Sequence, residues 1–212
     1  MSNFLEFASK RRSIRKFEDK DIPLEDIKYF ISAAISAPSG CNSQCWKFVA
    51  IKDRQIIHKI EEAVIKKTES ILAVKSGELS HEYLSSRRKL STFFAKAPVN
   101  IAVFMTAAKY FDPTLISAFK DCGYQDEAIM RMYGNYDLLS IGAAVQNMLL
   151  AIHEKGYGAC WMNDPVIAGE EINKILGEPA ENRFISLIPI GFPAYSPRDK
   201  KMKDLSEVLS IK

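Results

Sequence analysis

The sequence predicts an α+β fold. Three observations carry this: apolar residues recur at helical spacing near residues 24–35, 53–67 and 137–154, β-rich runs lie between them, and the two types never settle into a regular βαβ alternation. With 212 residues, 47% of them apolar, the chain is expected to bury one core, because domains run to roughly 100–200 residues. The expectation is therefore a single domain over residues 1–212.

The first helix is expected to start at Asp21-Ile22-Pro23-Leu24-Glu25-Asp26, since proline fits the first helical position and acids oppose the positive dipole end. Leu24, Ile27, Phe30, Ile31, Ala34 and Ile35 then form one stripe, which stops before Ala37-Pro38-Ser39-Gly40. Trp46-Lys47-Phe48-Val49-Ala50-Ile51 reads as a strand, leaving the loop before it well placed for a site. From Asp53 to about Lys67, Ile56, Ile60, Ala63 and Val64 give a second helix. Residues 68–97 are polar and only weakly periodic around Leu72, Leu84 and Leu90, and are expected to be helical. Residues 99–105 read as a strand from their β-branched content. Residues 110–136 carry mixed aromatics and acids without a clear period, so about 66–136 is assigned as a lid or insertion region. The longest helix is expected at residues 137–154, with Leu138, Ile141, Val145, Met148, Leu149 and Ile152 on one face and Gly156 ending it. Residues 157–162 and 184–190 read as strands around a short helix at 167–176.

The formal net charge is only +3, spread along the chain, so neither nucleic acid nor an anionic membrane is an expected partner. No run approaches the roughly 20 apolar residues that span a bilayer, and no basic flank precedes an apolar stretch at the start, so the expected location is the cytoplasm. Cys41, Cys45, Cys122 and Cys160 form no CxxC pair, which gives neither a zinc site nor a disulfide framework. Cys41 and Cys45 are read as small packing residues, with a redox role as the alternative. His58, His81 and His153 are not assigned as acid–base groups, because His58 and His153 fall in expected helices away from the motifs below.

Three segments carry the candidate chemistry. Arg11-Arg12-Ser13-Ile14-Arg15-Lys16-Phe17 packs three guanidinium groups and a hydroxyl together, donors suited to a phosphate, although such clusters are more often solvated surface. Ala37-Pro38-Ser39-Gly40-Cys41-Asn42-Ser43-Gln44-Cys45-Trp46 sets two amides and two hydroxyls ahead of a strand, fitting the alternating donors and acceptors of a flavin or base edge, or an ordinary polar loop. Lys155-Gly156-Tyr157-Gly158-Ala159-Cys160-Trp161-Met162-Asn163 has glycines that allow close backbone approach to a flat ligand, or that simply end a helix.

Taken in order, RRSIRKF, SAPSGCNSQCWKF, IGAAVQNMLLAIHEKGYGACWM and IPIGFPAYSPRDKKMKDLSEVL resemble the nitroreductase family of FMN-dependent enzymes, over roughly residues 8–60 and 137–209. The resemblance implies an intertwined homodimer with a central mixed or antiparallel sheet flanked by helices, and two FMN sites built from both chains. It implies that Arg11, Arg12, Ser13 and Arg15 contact the FMN phosphate, ribityl chain and pyrimidine edge. Pro38, Ser39, Gly40, Asn42 and Gln44 would come from the partner, along the isoalloxazine ring. Trp161, Met162 and Asn163 match the backbone near flavin N5, and Lys200 matches a C-terminal basic residue at the phosphate. Three positions depart from the pattern: Cys45 replaces the usual proline, Cys41 a small residue, and Met202 an expected arginine. Arg198 and the lysines at 200, 201 and 203 thus remain alternatives for completing the phosphate grip. The implied activity takes hydride from NADH or NADPH and reduces a nitroaromatic, quinone or similar conjugated small molecule, with Arg12 or Arg15 beside the reduced flavin and no catalytic side chain. The alternative is a flavin storage or sensing protein of the same fold, and a variant within the family would use the reduced flavin for dehalogenation or flavin destruction.

Overall fold

The computed structural model describes residues 3–75, 77–107 and 112–212. In chain order these residues form α1 (Phe4–Lys10), α2 (Leu24–Ile35), β1 (Trp46–Ile51), α3 (Arg54–Leu72), α4 (His81–Thr92), β2 (Val99–Met105), α5 (Pro113–Asp121), α6 (Asp126–Met132), α7 (Tyr136–Glu154), β3 (Gly158–Ala159), α8 (Gly169–Leu176), β4 (Arg183–Gly191) and α9 (Leu205–Val208). The strands make one antiparallel sheet in the order β1-β2-β4-β3.

The central strands β2 and β4 are buried on both faces, and their side chains sort by the two-residue period of a strand. Val99, Ile101 and Val103 of β2, with Ile188 and Ile190 of β4, pack with α2 and α7, where Phe30, Ile141, Val145 and Met148 are fully enclosed. Ala102, Phe104, Phe184 and Leu187 point the other way, onto Ile57, Ile60 and Val64 of α3 and Ile172 of α8. A bulge between Val103 and Phe104 shifts the pairing with β4.

Several boundaries differ from expectation. Pro23 is the N-cap of α2, one place before the first helical residue. Asp53 caps α3, accepting from the Gln55 and Ile56 amides, and that helix runs five residues past the expected Lys67, to Leu72. The expected strand at 157–162 pairs only at Gly158 and Ala159, and Met162 rejoins the sheet through an isolated bridge to Leu187. Within the expected lid region, α5 and α6 are short helices, and residues 108–111 lie outside the described residues.

Polar contacts tie α2 to the end of α7, Tyr29 donating to Glu154 and Asp26 meeting Tyr157 and Lys155. The Tyr157 hydroxyl donates to Asp26 Oδ2 at 2.7 Å, and Lys155 Nζ sits 3.2 Å from the same carboxylate. The Tyr157 hydrogen bond, helped by Lys155, holds Asp26 below the usual carboxylate range, while burial and then Asp26 push Tyr157 up to about 12. Because the folded state keeps the phenol neutral above its unfolded value of about 10, this stabilisation is complete below pH ~10 and is lost as pH rises toward 12. Denaturant titrations across that window are expected to show stability falling in the wild type, with a shallower fall in Tyr157→Phe.

Candidate functional site

The basic segment runs extended along the end of the sheet. Ser13 forms a parallel bridge with Ala159 and Phe17 an antiparallel one with Pro193, and the Ile14 amide donates to the Ala159 carbonyl at 2.9 Å. Gly158 makes this approach possible, since a Cβ there would sit 2.5 Å from Ile14 Cγ1 and 2.7 Å from Ile14 Cβ. Ile14 is buried in the sheet, so Ser13 and Arg15, on the alternate face, both reach the Cys160 thiol. Burial pushes that thiol up, against the opposing pull of Arg15 and Ser13.

Arg12 has a different task. Its Nε donates to the Arg198 carbonyl at 3.2 Å, one terminal nitrogen donates to the Ser9 and Arg11 carbonyls, and the other lies 3.8 Å from Asp199. A single guanidinium therefore holds the stretch bearing Arg198 and Lys200 against the basic segment. Among the described residues Arg12 has the segment's one arginine ion pair, which leaves Arg11 and Arg15 without a carboxylate partner. Lys10, Arg11, Arg12, Pro197 and the backbone of 156–159 line a depression of about 270 Å³. His153, expected away from the motifs, lines it too and stacks on Phe7 at 5.1 Å. Burial, then Arg11 and Arg12, lower its pKa, so the imidazole favours its neutral form.

The loop at residues 38–44 docks on the opposite end of α7. Gly40 lies so close to Tyr136 that a Cβ would meet the ring at 2.3 Å, and its amide donates to Ser140 Oγ at 3.1 Å. Ser39 Oγ accepts from the Gln44 amide at 3.1 Å, and the Gln44 side chain donates to Asn42 Oδ1 at 3.1 Å. Cys41, Asn42 and Gln44 all have positive φ, at 55°, 48° and 47°. Three non-glycine residues in that region within four positions make a strained turn, held by the Ser39, Ser140 and Tyr136 contacts. Pro38 is exposed at the loop's start, and Cys45 is fully buried at its end, where burial raises its thiol pKa.

Trp161 lies against α7 near Gly142 and is 38% exposed. Met162 is buried by its bridge to Leu187, and Asn163 is exposed ahead of a short 3-10 turn. One chain thus brings Arg11, Arg12, Ser13 and Arg15 to β3, with residues 161–163 following it and the backbone of Arg198 held beside Arg12. It leaves Pro38, Ser39, Gly40, Asn42 and Gln44 at the far end of α7, whose 19 residues span about 28 Å.

A family model described as the nitroreductase family matches residues 8–192. The chain belongs to the nitroreductase family. That match contains the basic segment, the 38–44 loop and residues 161–163, and stops before Arg198 and Lys200. The chain is 31% identical to an iodotyrosine deiodinase from Haliscomenobacter hydrossis over 214 residues, covering 99% of this chain and 89% of the relative. It is also similar to the crystal structure of a BluB-like flavoprotein from Clostridium difficile, with a TM-score of 0.86, 30% identity and full coverage of both chains. A nitroreductase with bound FMN from Desulfitobacterium hafniense shares the fold, at a TM-score of 0.71 and 22% identity with both chains fully covered. Local patterns mark neither His153 nor Cys160 as part of the site. Gly158, expected to admit a flat ligand or to end a helix, instead admits the Ile14 side chain.

Proposed function

We propose that this nitroreductase-family chain binds FMN and is an oxidoreductase that passes electrons from NADH or NADPH to a nitroaromatic, quinone or similar conjugated acceptor. The observation that carries the reading is the pair of guanidinium groups that lack carboxylate partners among the described residues, Arg11 and Arg15, set beside β3 while Arg12 holds the Arg198 stretch against them. Such a donor set fits a phosphorylated, electron-rich ligand, because arginine binds phosphate oxygens bidentately and keeps its charge at any working pH. In this proposal Arg11 and Ser13, completed by Arg198 or Lys200, bind the FMN phosphate and ribityl chain. Arg12 acts by positioning that second basic stretch. Arg15 would face the pyrimidine edge, where its charge would favour a reduced, negatively charged flavin. The backbone of Trp161, Met162 and Asn163 would lie along the ring. Bound FMN supplies the hydride chemistry, and the protein supplies orientation and electrostatics.

The loop residues Pro38, Ser39, Gly40, Asn42 and Gln44 belong to the same proposal through a partner subunit. Held at the far end of α7, they would serve the flavin of a second copy in a homodimer. Exposed apolar side chains suit such a partner: Leu139 on α7 is 68% exposed, and Leu205, Val208, Leu209 and Ile211 crowd the exposed end of the chain. Sedimentation of the flavin-loaded protein is expected to show a dimer even when dilute, and a monomer that keeps its FMN would contradict the shared site.

Kinship with an iodotyrosine deiodinase favours a second reading, in which the same electrons remove halide from an aromatic ring. An aryl iodide plus two electrons and a proton gives the arene and iodide, whereas a quinone takes two electrons and two protons. The deciding experiment reduces the loaded protein anaerobically with NADH or NADPH, then reoxidises it with a nitroaromatic, a quinone and an iodophenol. Rapid bleaching followed by reoxidation with the first two supports the leading reading, and iodide release supports the second. A flavin that neither nicotinamide reduces would return the chain to storage or sensing. Failure to take up FMN at all would end the proposal.

A further inference from the structure

On its other side the basic segment faces α4 across a cleft of about 700 Å³. Five cations line it, Arg15, Lys16, Arg88, Lys89 and Lys96, against one carboxylate, Glu61, which lies 3.4 Å from His58 Nδ1. The local excess of four, five cations less one acid, exceeds the +3 of the entire chain, so the cleft is not a sample of a generally basic surface. Ser85, Arg88, Lys89 and Thr92 recur at the three-and-four spacing of one face of α4, placing two cations and the Ser85 hydroxyl on the same wall, while the buried Thr92 hydroxyl donates to the Arg88 carbonyl at 3.0 Å. Among the described residues none of the five cations makes an ion pair, whereas the neighbouring Arg87 is held by Asp164 at 2.8 Å. Like charges on one cleft repel, and among the described residues Glu61 is the one carboxylate lining it, leaving most of that charge unbalanced.

We propose that this cleft is a phosphate subsite for the nicotinamide donor and selects NADPH over NADH. The two donors differ by one phosphate monoester, which carries a charge of about −1.5 to −2 and three acceptor oxygens near neutral pH. A carboxylate or a neutral acceptor would leave most of the cleft's charge uncompensated. Arg15 belongs both to the cleft and to the segment assigned to the flavin, so a donor placed at the ring has a continuous cationic path into the cleft. The purpose of the subsite rests on the proposed flavin chemistry. Its affinity for phosphate does not.

Calorimetric titration of the purified protein with adenosine 2′,5′-bisphosphate, 5′-AMP and inorganic phosphate separates these. The bisphosphate is expected to bind at least about tenfold more tightly than 5′-AMP, the scale of one or more charge-assisted contacts. In the double variant Lys89→Glu, Lys96→Glu that preference should fall to within about threefold, and the ratio of KM for NADH to KM for NADPH should fall with it. Both lysines are exposed, so the substitutions bury no charge, and the milder Lys89→Gln should give a smaller fall in the same direction. Equal binding of the two nucleotides by the wild type, or a preference that survives in the double variant, would overturn the subsite. So would inorganic phosphate displacing the bisphosphate at equal affinity, which would mark an anion site without nucleotide selectivity. A protein that takes up no FMN yet keeps the lysine-dependent preference would sink the flavin reading and leave the subsite standing.

Discussion

Gly158→Ala is expected to loosen the basic segment from the sheet and cost both stability and flavin binding. A methyl at this position would lie 2.5 Å from Ile14 Cγ1 and 2.7 Å from Ile14 Cβ. Ile14 Cβ is anchored directly to the backbone, so no rotamer change relieves the second contact. Ile14 is itself only 3% exposed and cannot swing outward without opening the core. Relief must come from moving the strand, which lengthens the 2.9 Å bond from the Ile14 amide to Ala159. Overpacking of this kind costs about 1–3 kcal/mol, to be read from denaturant midpoints. FMN affinity is expected to fall at least about tenfold, since misplacing Arg11, Ser13 and Arg15 together removes more than one charge-assisted contact. Gly156→Ala is the companion measurement. There φ is +79° and nothing lies within 4 Å of the added carbon. The expected cost is about 1 kcal/mol of backbone strain, with FMN affinity largely retained. Equal losses at the two glycines would show that Gly158 is not a steric gate for the segment.

Arg15→Ala is expected to weaken FMN binding by about ten- to a hundred-fold, the loss of a charge-assisted contact worth about 1.5–3 kcal/mol. The side chain is exposed and lacks an ion pair among the described residues, so its removal leaves no buried carboxylate stranded and should change folding stability little. That separation of affinity from stability distinguishes it from Arg12→Ala, which also frees the Arg198 stretch. Arg15→Lys should restore charge without the planar fork, recovering part of the affinity. An unchanged FMN dissociation constant in Arg15→Ala would remove Arg15 from the pyrimidine edge.

The elements that bury one regular face were legible in the sequence. In α2 the expected stripe is real at Ile27, Phe30 and Ala34, yet Leu24 is 59% and Ile35 50% exposed, because apolar side chains also lie on surfaces. Residues 99–105 read correctly as a strand because β2 is buried on both faces and so is rich in β-branched and other apolar residues, broken only by Asn100. Short elements were harder. The seven residues of α1 bury no side chain, and α5 and α6 are interrupted at Gly123, where φ is +85°. Neither offers enough turns to establish a period. At the site, residue types marked the basic segment and the loop, but Arg12 meets Arg198 across 186 positions, a pairing that local patterns cannot contain. His153 failed for the same reason. It comes near Arg11 and Arg12 through the packing of α7 against the segment, not through any sequence neighbour.

The turn at 39–44 inverts an ordinary rule of substitution. At Cys41 and Gln44 the side chain opposes the backbone it sits on, so glycine, a disruptive replacement almost everywhere else, is the residue whose intrinsic preference matches these dihedrals. Asn42 is the one member of the trio with some native tolerance for them. The chain therefore keeps a thiol and two amide side chains where conformational ease alone would favour glycine. Whatever this turn contributes must come from the contacts of its side chains, such as Gln44 on Asn42, and not from the ease of its backbone.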